Sequence, residues 1–119
     1  MDNRPNTIFC DIDGTLVKHN GDICSQHLGD PILLKGVKEK FQEWDRKGYK
    51  IFLTTGRRES VRRDTEIQLS NAGIFYDQLI MGVGGGARVL INDRKPNGEH
   101  DTAVAINLIR NEGLGDIDV

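Results

Sequence analysis

The sequence contains no apolar run long enough to span a bilayer, and its first residues, MDNRPNT, lack the apolar core of a signal peptide. It has only two cysteines, Cys10 and Cys24, which show neither the spacing of a metal site nor the density of a disulfide scaffold. These absences argue against a membrane protein and against a disulfide-bonded secreted domain. We therefore expect reduced thiols, a cytoplasmic location and no membrane partner.

The sequence also lacks an excess of basic residues. Sixteen Lys and Arg stand against 18 Asp and Glu, which gives a formal net charge of -2. Proteins dedicated to nucleic acids usually carry a basic excess, so this balance argues against a nucleic-acid partner. At 119 residues the chain has no room for a second independent core, and we expect one domain over residues 1–119.

Apolar stretches alternate with helical patterns along the chain. Four stretches read as strands: TIFC, YKIFLTT, YDQLIMG and RVLIND. Three stretches read as helices: GVKEKFQEWDRKG, ESVRRDTEIQLSNAG and DTAVAINLIRNEG. Such alternation predicts a Rossmann-like α/β fold, a parallel sheet with helices on both faces. The Asn20-Gly21 step predicts a type I′ turn and hence a small β-hairpin flap over Thr15–Ser25.

Polar residues follow three of the predicted strands. Because ligands of open α/β sheets bind beyond the carboxyl ends of the strands, these residues are expected to meet at one edge. The set comprises Asp11 and Asp13, then Thr55 and Arg57, and finally Asn92 and Asp93.

The two neighbouring aspartates need an explanation, because like charges repel and burial removes hydration. A bound cation, a reaction that uses both carboxylates, or plain exposure at a turn would each account for them. An EF-hand calcium loop does not fit, because its sixth-position Gly and twelfth-position Glu are replaced when counting from Asp11.

The motif DIDGTL, followed by IFLTTGR and VLINDRKP, resembles the haloacid dehalogenase (HAD) superfamily of phosphatases over about Thr7–Lys95. The resemblance implies a Rossmann-like core, a covalent aspartyl-phosphate and bound Mg²⁺. It implies that Asp11 is the nucleophile, that Asp13 is the general acid/base, and that Thr55 hydrogen-bonds the transferring phosphoryl group. The metal ligands it implies are Asp11, the backbone carbonyl of Asp13, Asp93 and, through metal-bound water, Asn92.

One element of the superfamily pattern is missing, because no Lys occurs between Lys50 and Lys95. Members usually carry a Lys before the last acidic motif to neutralise the phosphoryl oxygens. Arg88, which follows the Gly-rich GVGGGA, is our first candidate for this catalytic cation and Lys95 the second. The alternative for Arg88 is a solvated loop position. Gly56, Arg57 and Lys95 are expected to bind the anionic substrate at the mouth of the site.

Asp13 favours phosphoryl transfer to water over dehalogenation, which does not need a second acid. Only 38 residues, Val17 to Thr54, lie between DIDGTL and Thr55, and only 35, Arg58 to Asn92, lie between Arg57 and Asp93, so no cap domain fits. The sequence therefore predicts a capless Mg²⁺-dependent phosphomonoester hydrolase acting on a sugar phosphate or another small phosphorylated metabolite. The alternatives are a phosphatase of nucleic-acid ends or phosphoproteins, and a HAD-fold binding module without turnover. A capless site needs cover from a large substrate or a second subunit, so a homo-oligomer is expected.

Overall fold

The computed structural model describes residues 4–96 and 100–119. Three strands form a parallel sheet in the order β1-β2-β3, with β1 at Thr7–Asp11, β2 at Lys50–Thr54 and β3 at Gln78–Ile80. In the register of the first pair, Asp11 lies opposite Thr54. The carboxyl ends of β1 and β2 are therefore level with each other, which brings the first two motifs side by side.

Each connection between neighbouring strands contains one helix. Helix α1, Val37–Arg46, joins β1 to β2, and α2, Arg62–Asn71, joins β2 to β3 after one 3-10 turn. This alternation confirms the predicted α/β class and is compatible with the Rossmann-like HAD fold; no cap domain is evident in residues 4–96 and 100–119. Neither helix of the described residues has the length and apolar character needed to cross a membrane.

Helix α1 forms where its apolar stripe can be buried. Val37, Phe41 and Trp44 recur at helical spacing and are all buried, as the sequence predicts. Each contributes about 1.5–3 kcal/mol by leaving water, before the cost of ordering the side chain. Gly48 ends the helical segment with φ 73°, a left-handed conformation that a residue with a Cβ adopts only at a cost, and its N–H donates to the carbonyl of Asp45 at 3.0 Å.

The predicted fourth strand and last helix are both wrong. Residues 88–93 and 101–113 form neither strand nor helix. Instead, the two segments contact each other: Asn92 donates to the hydroxyl of Thr102 at 2.9 Å, and Arg94 pairs with Asp101 at 2.6 Å. We call residues 84–96 and 100–109 the arm. Its side chains are mostly exposed, although Leu108 packs against the core. Most of the apolar pattern that favours a strand or helix therefore has no surface to pack against within the described chain.

The predicted β-hairpin over Thr15–Ser25 is also wrong. A type I′ turn requires positive φ at both central residues, and here Gly21 has φ 92° while Asn20 does not have a positive φ. The Asn20 side chain instead accepts the backbone N–H two residues further on, at 2.9 Å. Residues 17–33 instead form a wider loop, which is closed by an antiparallel bridge between Val17 and Leu33.

Candidate active site

Asp11 is the last residue of β1 and its carboxylate lies at the edge of the sheet. The Thr15 hydroxyl donates to its Oδ2 at 3.2 Å, across a turn in which Gly14 has φ 88°. Burial raises the pKa of Asp11 above its ordinary value; the bonds from Thr15 and the Ile12 backbone lower it, and the charge of Asp13 raises it further. The net direction is upward, as expected for a carboxylate placed for chemistry rather than for solvation.

Asp13 is buried and forms a bidentate ion pair with Arg57. Nε of Arg57 donates to Oδ2 of Asp13 at 2.9 Å, and Nη2 donates to Oδ1 at 2.8 Å. The two side chains are only 5% and 2% exposed. Arg57 therefore lies inside the fold beside Asp13 rather than at the mouth of the site, and its predicted role in substrate binding gains no support from this geometry.

Arg57 is held in turn by two polar side chains of α2 that we did not single out from the sequence. Its Nη1 donates to the Thr65 hydroxyl at 3.1 Å and to Oε1 of Gln68 at 2.6 Å. The pattern of α2 does indicate their role, because Thr65 and Gln68 lie on the same buried face of the helix as Leu69. Polar residues therefore stand at positions of the helix that face the protein interior. Buried polar groups in such positions are normally hydrogen-bonded, which predicts a partner nearby.

Thr55 directly follows β2 and is buried. Its hydroxyl oxygen accepts the backbone N–H of Arg57 at 3.1 Å, which leaves the hydroxyl hydrogen to be donated elsewhere. Its carbonyl accepts the N–H of Val83 at 2.9 Å, joining the loops after β2 and β3. A side chain at Gly56 would approach the Val83 carbonyl to 3.3 Å, so this close contact favours glycine there. Whether Gly56 also contacts substrate stays a prediction.

Arg88 lies close enough to Asp11 for its charge to lower the pKa of that carboxyl. It stands at the end of the Gly-rich segment, and its Nη1 donates to the carbonyls of Gly84 and Gly86, each at 2.7 Å. The glycine segment thus curls around the guanidinium beside the site. The roles of Arg88 and of the alternative, Lys95, as the catalytic cation both stay predictions.

The structure does not bring Asn92 and Asp93 to the aspartate pair. Both are exposed on the arm, where the Thr102 hydroxyl contacts the Asp93 carbonyl. Across the described residues, no three His, Cys, Asp or Glu side chains cluster as a metal site. Mg²⁺ often uses only one or two carboxylates plus water, so Asp11 and the Asp13 carbonyl fit a minimal site, and the roles of Asn92 and Asp93 stay predictions.

Arg110 and Asn111 pack on the turn that follows the two aspartates and on the loop after it. The Asn111 N–H donates to the Gly14 carbonyl at 2.8 Å, and its side chain bonds both backbone groups of His19, at 2.7 and 3.2 Å. Arg110 lies over Gly14, where an added Cβ would come within 3.0 Å of its side chain. This contact supports the turn that carries Asp13, and sequence reasoning missed it.

Comparison with known proteins finds similar chains among solved structures. No family model matches the sequence, and no curated protein matches it. Two solved structures, one of the Pnkp1/Rnl/Hen1 complex and one of the Pnkp1/Rnl/Hen1 RNA repair complex, each contain a similar chain. Each of these chains is 31% identical to this one, and the TM-scores are 0.59 and 0.56. Each match covers 71% of this chain, which spans only 30% and 28% of theirs.

A further similarity covers more of both chains at lower identity. The crystal structure of a target protein from Vibrio cholerae is 18% identical, with a TM-score of 0.54, and the match covers 81% of this chain and 89% of that one. This similarity bears on the fold alone. Together, the α/β topology, the paired strand ends and these solved counterparts are consistent with a HAD-like fold.

Proposed function

We propose that this chain is a Mg²⁺-dependent phosphomonoester hydrolase that works through an aspartyl-phosphate on Asp11. The observation that carries the proposal is the level pairing of β1 with β2, which sets Asp11 and Asp13 beside Thr55. Two carboxylates, a hydroxyl and the nearby guanidinium of Arg88 supply a nucleophile, an acid/base, a hydrogen-bond donor and a cation.

The first half-reaction transfers the phosphoryl group to the protein. An oxygen of Asp11 forms a bond to phosphorus as the bond to the leaving oxygen breaks, and Asp13 gives that oxygen a proton. In the second half-reaction water attacks phosphorus, its proton passes to Asp13, and the bond to Asp11 breaks. Thr55 donates its hydroxyl hydrogen to a phosphoryl oxygen, and Arg88 neutralises the charge on the others.

Mg²⁺ would be held by the Asp11 carboxylate and the Asp13 carbonyl, with Asp93 and Asn92 as predicted further ligands. When bound, it offsets the repulsion between the carboxylate and the anionic phosphoryl group. Asp11 needs such compensation, since burial and the neighbouring Asp13 both raise its pKa.

The substrate we propose first is a sugar phosphate or another small phosphorylated metabolite. The net charge of -2 supports this choice, because it offers no general attraction to a polyanion. A phosphorylated nucleic-acid end is a second candidate, supported by the 31% identity with a chain of the RNA repair complex. A binding module without turnover is less well supported, because the residues proposed for both half-reactions are present.

A phosphate-release assay tests the activity and separates the substrate classes. We expect turnover of p-nitrophenyl phosphate with Mg²⁺, and loss of turnover with EDTA. The panel adds sugar phosphates and oligonucleotides phosphorylated at either end. Asp11→Asn should lower turnover by about three orders of magnitude or more, because an amide is a poor nucleophile.

The matched control is Asp45→Asn, the same change at an exposed position of α1, which should leave turnover unaltered. Near-normal turnover by Asp11→Asn would rule out Asp11 as the nucleophile. Absence of phosphate release from every compound by the unaltered protein would favour the binding module.

A further inference from the structure

The structure assigns Arg57 as a positioning residue that fixes the orientation of Asp13 for proton transfer. This inference rests on the proposed function and deepens it, because it concerns the group that protonates the leaving oxygen. The two carboxylate oxygens of Asp13 each accept one N–H from Arg57, at 2.8 and 2.9 Å. Two parallel bonds fix both the position and the plane of the carboxylate, which a single bond would leave free to rotate.

The guanidinium is itself fixed, so the orientation of Asp13 does not depend on one flexible side chain. The nitrogen of Arg57 that does not face Asp13, Nη1, donates to Thr65 and Gln68. Thr65 is fully buried and Gln68 nearly so, and both belong to α2. Because all three guanidinium nitrogens are bonded to buried partners, Arg57 has a single orientation, determined by the rigid helix.

Gln68 extends this network to the loop that follows the aspartate pair. Its amide accepts from Arg57 through Oε1 and donates through Nε2 to the carbonyls of Gly29 and Gln26, at 2.9 and 3.3 Å. The amide supplies an acceptor and a donor on two separate atoms, so one side chain can bond Arg57 and the loop at once. Gln68 thus ties the orientation of Asp13 to the loop beside the site.

Asp13 must take up a proton from solvent before it can give one to the leaving oxygen, and its pair with Arg57 leaves lone pairs free to hold that proton. Each carboxylate oxygen has two lone pairs, and Arg57 uses only one on each. The remaining lone pairs can hold the proton that passes to the leaving oxygen, and later the proton taken from water. Arg57 therefore acts through Asp13 and does not contact the phosphoryl group.

This role predicts an effect that depends on the leaving group. An alkoxide is a poor leaving group and needs a proton from a well-placed acid, whereas p-nitrophenolate leaves without one. If Arg57 orients Asp13, its replacement must slow cleavage of an alkyl phosphate far more than cleavage of p-nitrophenyl phosphate. The ratio kcat/KM reports this step, because it covers the reaction up to the first irreversible cleavage.

The test compares kcat/KM of Arg57→Lys for glycerol phosphate and p-nitrophenyl phosphate. Lysine keeps the charge but cannot form the two parallel bonds. We expect a loss of about 10²-fold for the alkyl substrate, the lower range for general acid catalysis, and less than about tenfold for the aryl substrate. Arg63→Lys, the same change at an exposed position of α2, is the control and should change neither value.

Gln68→Met provides a second variant that keeps Arg57 and removes its support. It should give the same selective loss, smaller in size, which keeps the inference testable if Arg57→Lys does not fold. Equal losses for both substrates, or no loss, would show that Arg57 is merely structural and would overturn the inference. Failure of the unaltered protein to release phosphate from any compound of the panel would instead overturn the proposed function.

Discussion

Asp11, the proposed nucleophile at the end of β1, has a pKa raised above its ordinary value. Burial is the largest cause of the shift, and the charge of Arg88 is the smallest of those that oppose it. A carboxyl group whose pKa is higher in the folded state binds its proton more tightly there than in the unfolded chain. Ionised Asp11 therefore costs stability, a cost that is absent below the unfolded pKa, near 3.8, and complete above the folded one.

Removing this charge should stabilise the protein while it abolishes turnover. In EDTA at neutral pH we expect Asp11→Asn to melt at a higher temperature than the unaltered protein, because the substitution removes a charge that burial disfavours. The gain should shrink as the pH falls toward 3.8, because Asp11 then becomes neutral in both states. Thermal melts across this pH range measure it, with Asp45→Asn as the exposed control. A gain that is the same at every pH would contradict the assignment of the effect to charge.

The sequence was sufficient to predict Asp11, Asp13 and Thr55 as neighbours, because each directly follows or ends a strand of recognisable pattern. It did not predict the partner of Asp13, since Arg57 lies 44 residues away along the chain and its orientation depends on α2. An Arg next to a predicted site reads equally well as a substrate contact or as an internal ion pair. Only the packed helix decides between them.

At the scale of elements, strands β1 and β2 and helix α1 fold as predicted and bury apolar residues of their own, among them Val37, Phe41 and Trp44. Helix α2 also forms, with a buried face that is mostly polar. The arm has equally apolar residues, yet forms no regular element within the described chain. Periodicity indicates what a segment can form, whereas packing against another surface determines whether it does.

The segment around residues 110–111, which packs on the turn after Asp13, depends on Asn111. Its φ of 67° is the one positive value among the described non-glycine residues, and its side chain bonds His19 twice. Asn111→Gly keeps the backbone conformation but loses both bonds, whereas Asn111→Ala loses the bonds and must also hold a strained φ. We expect Ala to destabilise the protein by about 1 kcal/mol more than Gly, with urea unfolding as the measurement. A Gly variant less stable than the Ala variant would contradict this explanation.

The whole molecule is more extended than a compact chain of its length. Its radius of gyration is 14.9 Å, against about 13.5 Å expected for a compact domain of this size. The longest axis measures 48 Å, while the other two measure 28 and 25 Å. The arm carries several exposed apolar side chains, among them Ile91 at 90% and Val89 at 78%.

We expect this arm to mediate self-association with a second copy of the chain. Apolar patches of this kind are rare on monomers, and β1 has β2 as its only strand partner in the described sheet, so one edge is open to a further strand. Residues 88–93 of a second copy supply the apolar extended segment that such an edge accepts.

Sedimentation of the unaltered protein should show a dimer or larger species, and Ile91→Glu should give monomers, because a carboxylate cannot be buried there without a partner. Ile67→Glu, the same change at an exposed isoleucine on α2, should leave association intact. A monomeric unaltered protein across the concentrations used for the activity assay would contradict the prediction, as would equal effects of the two substitutions.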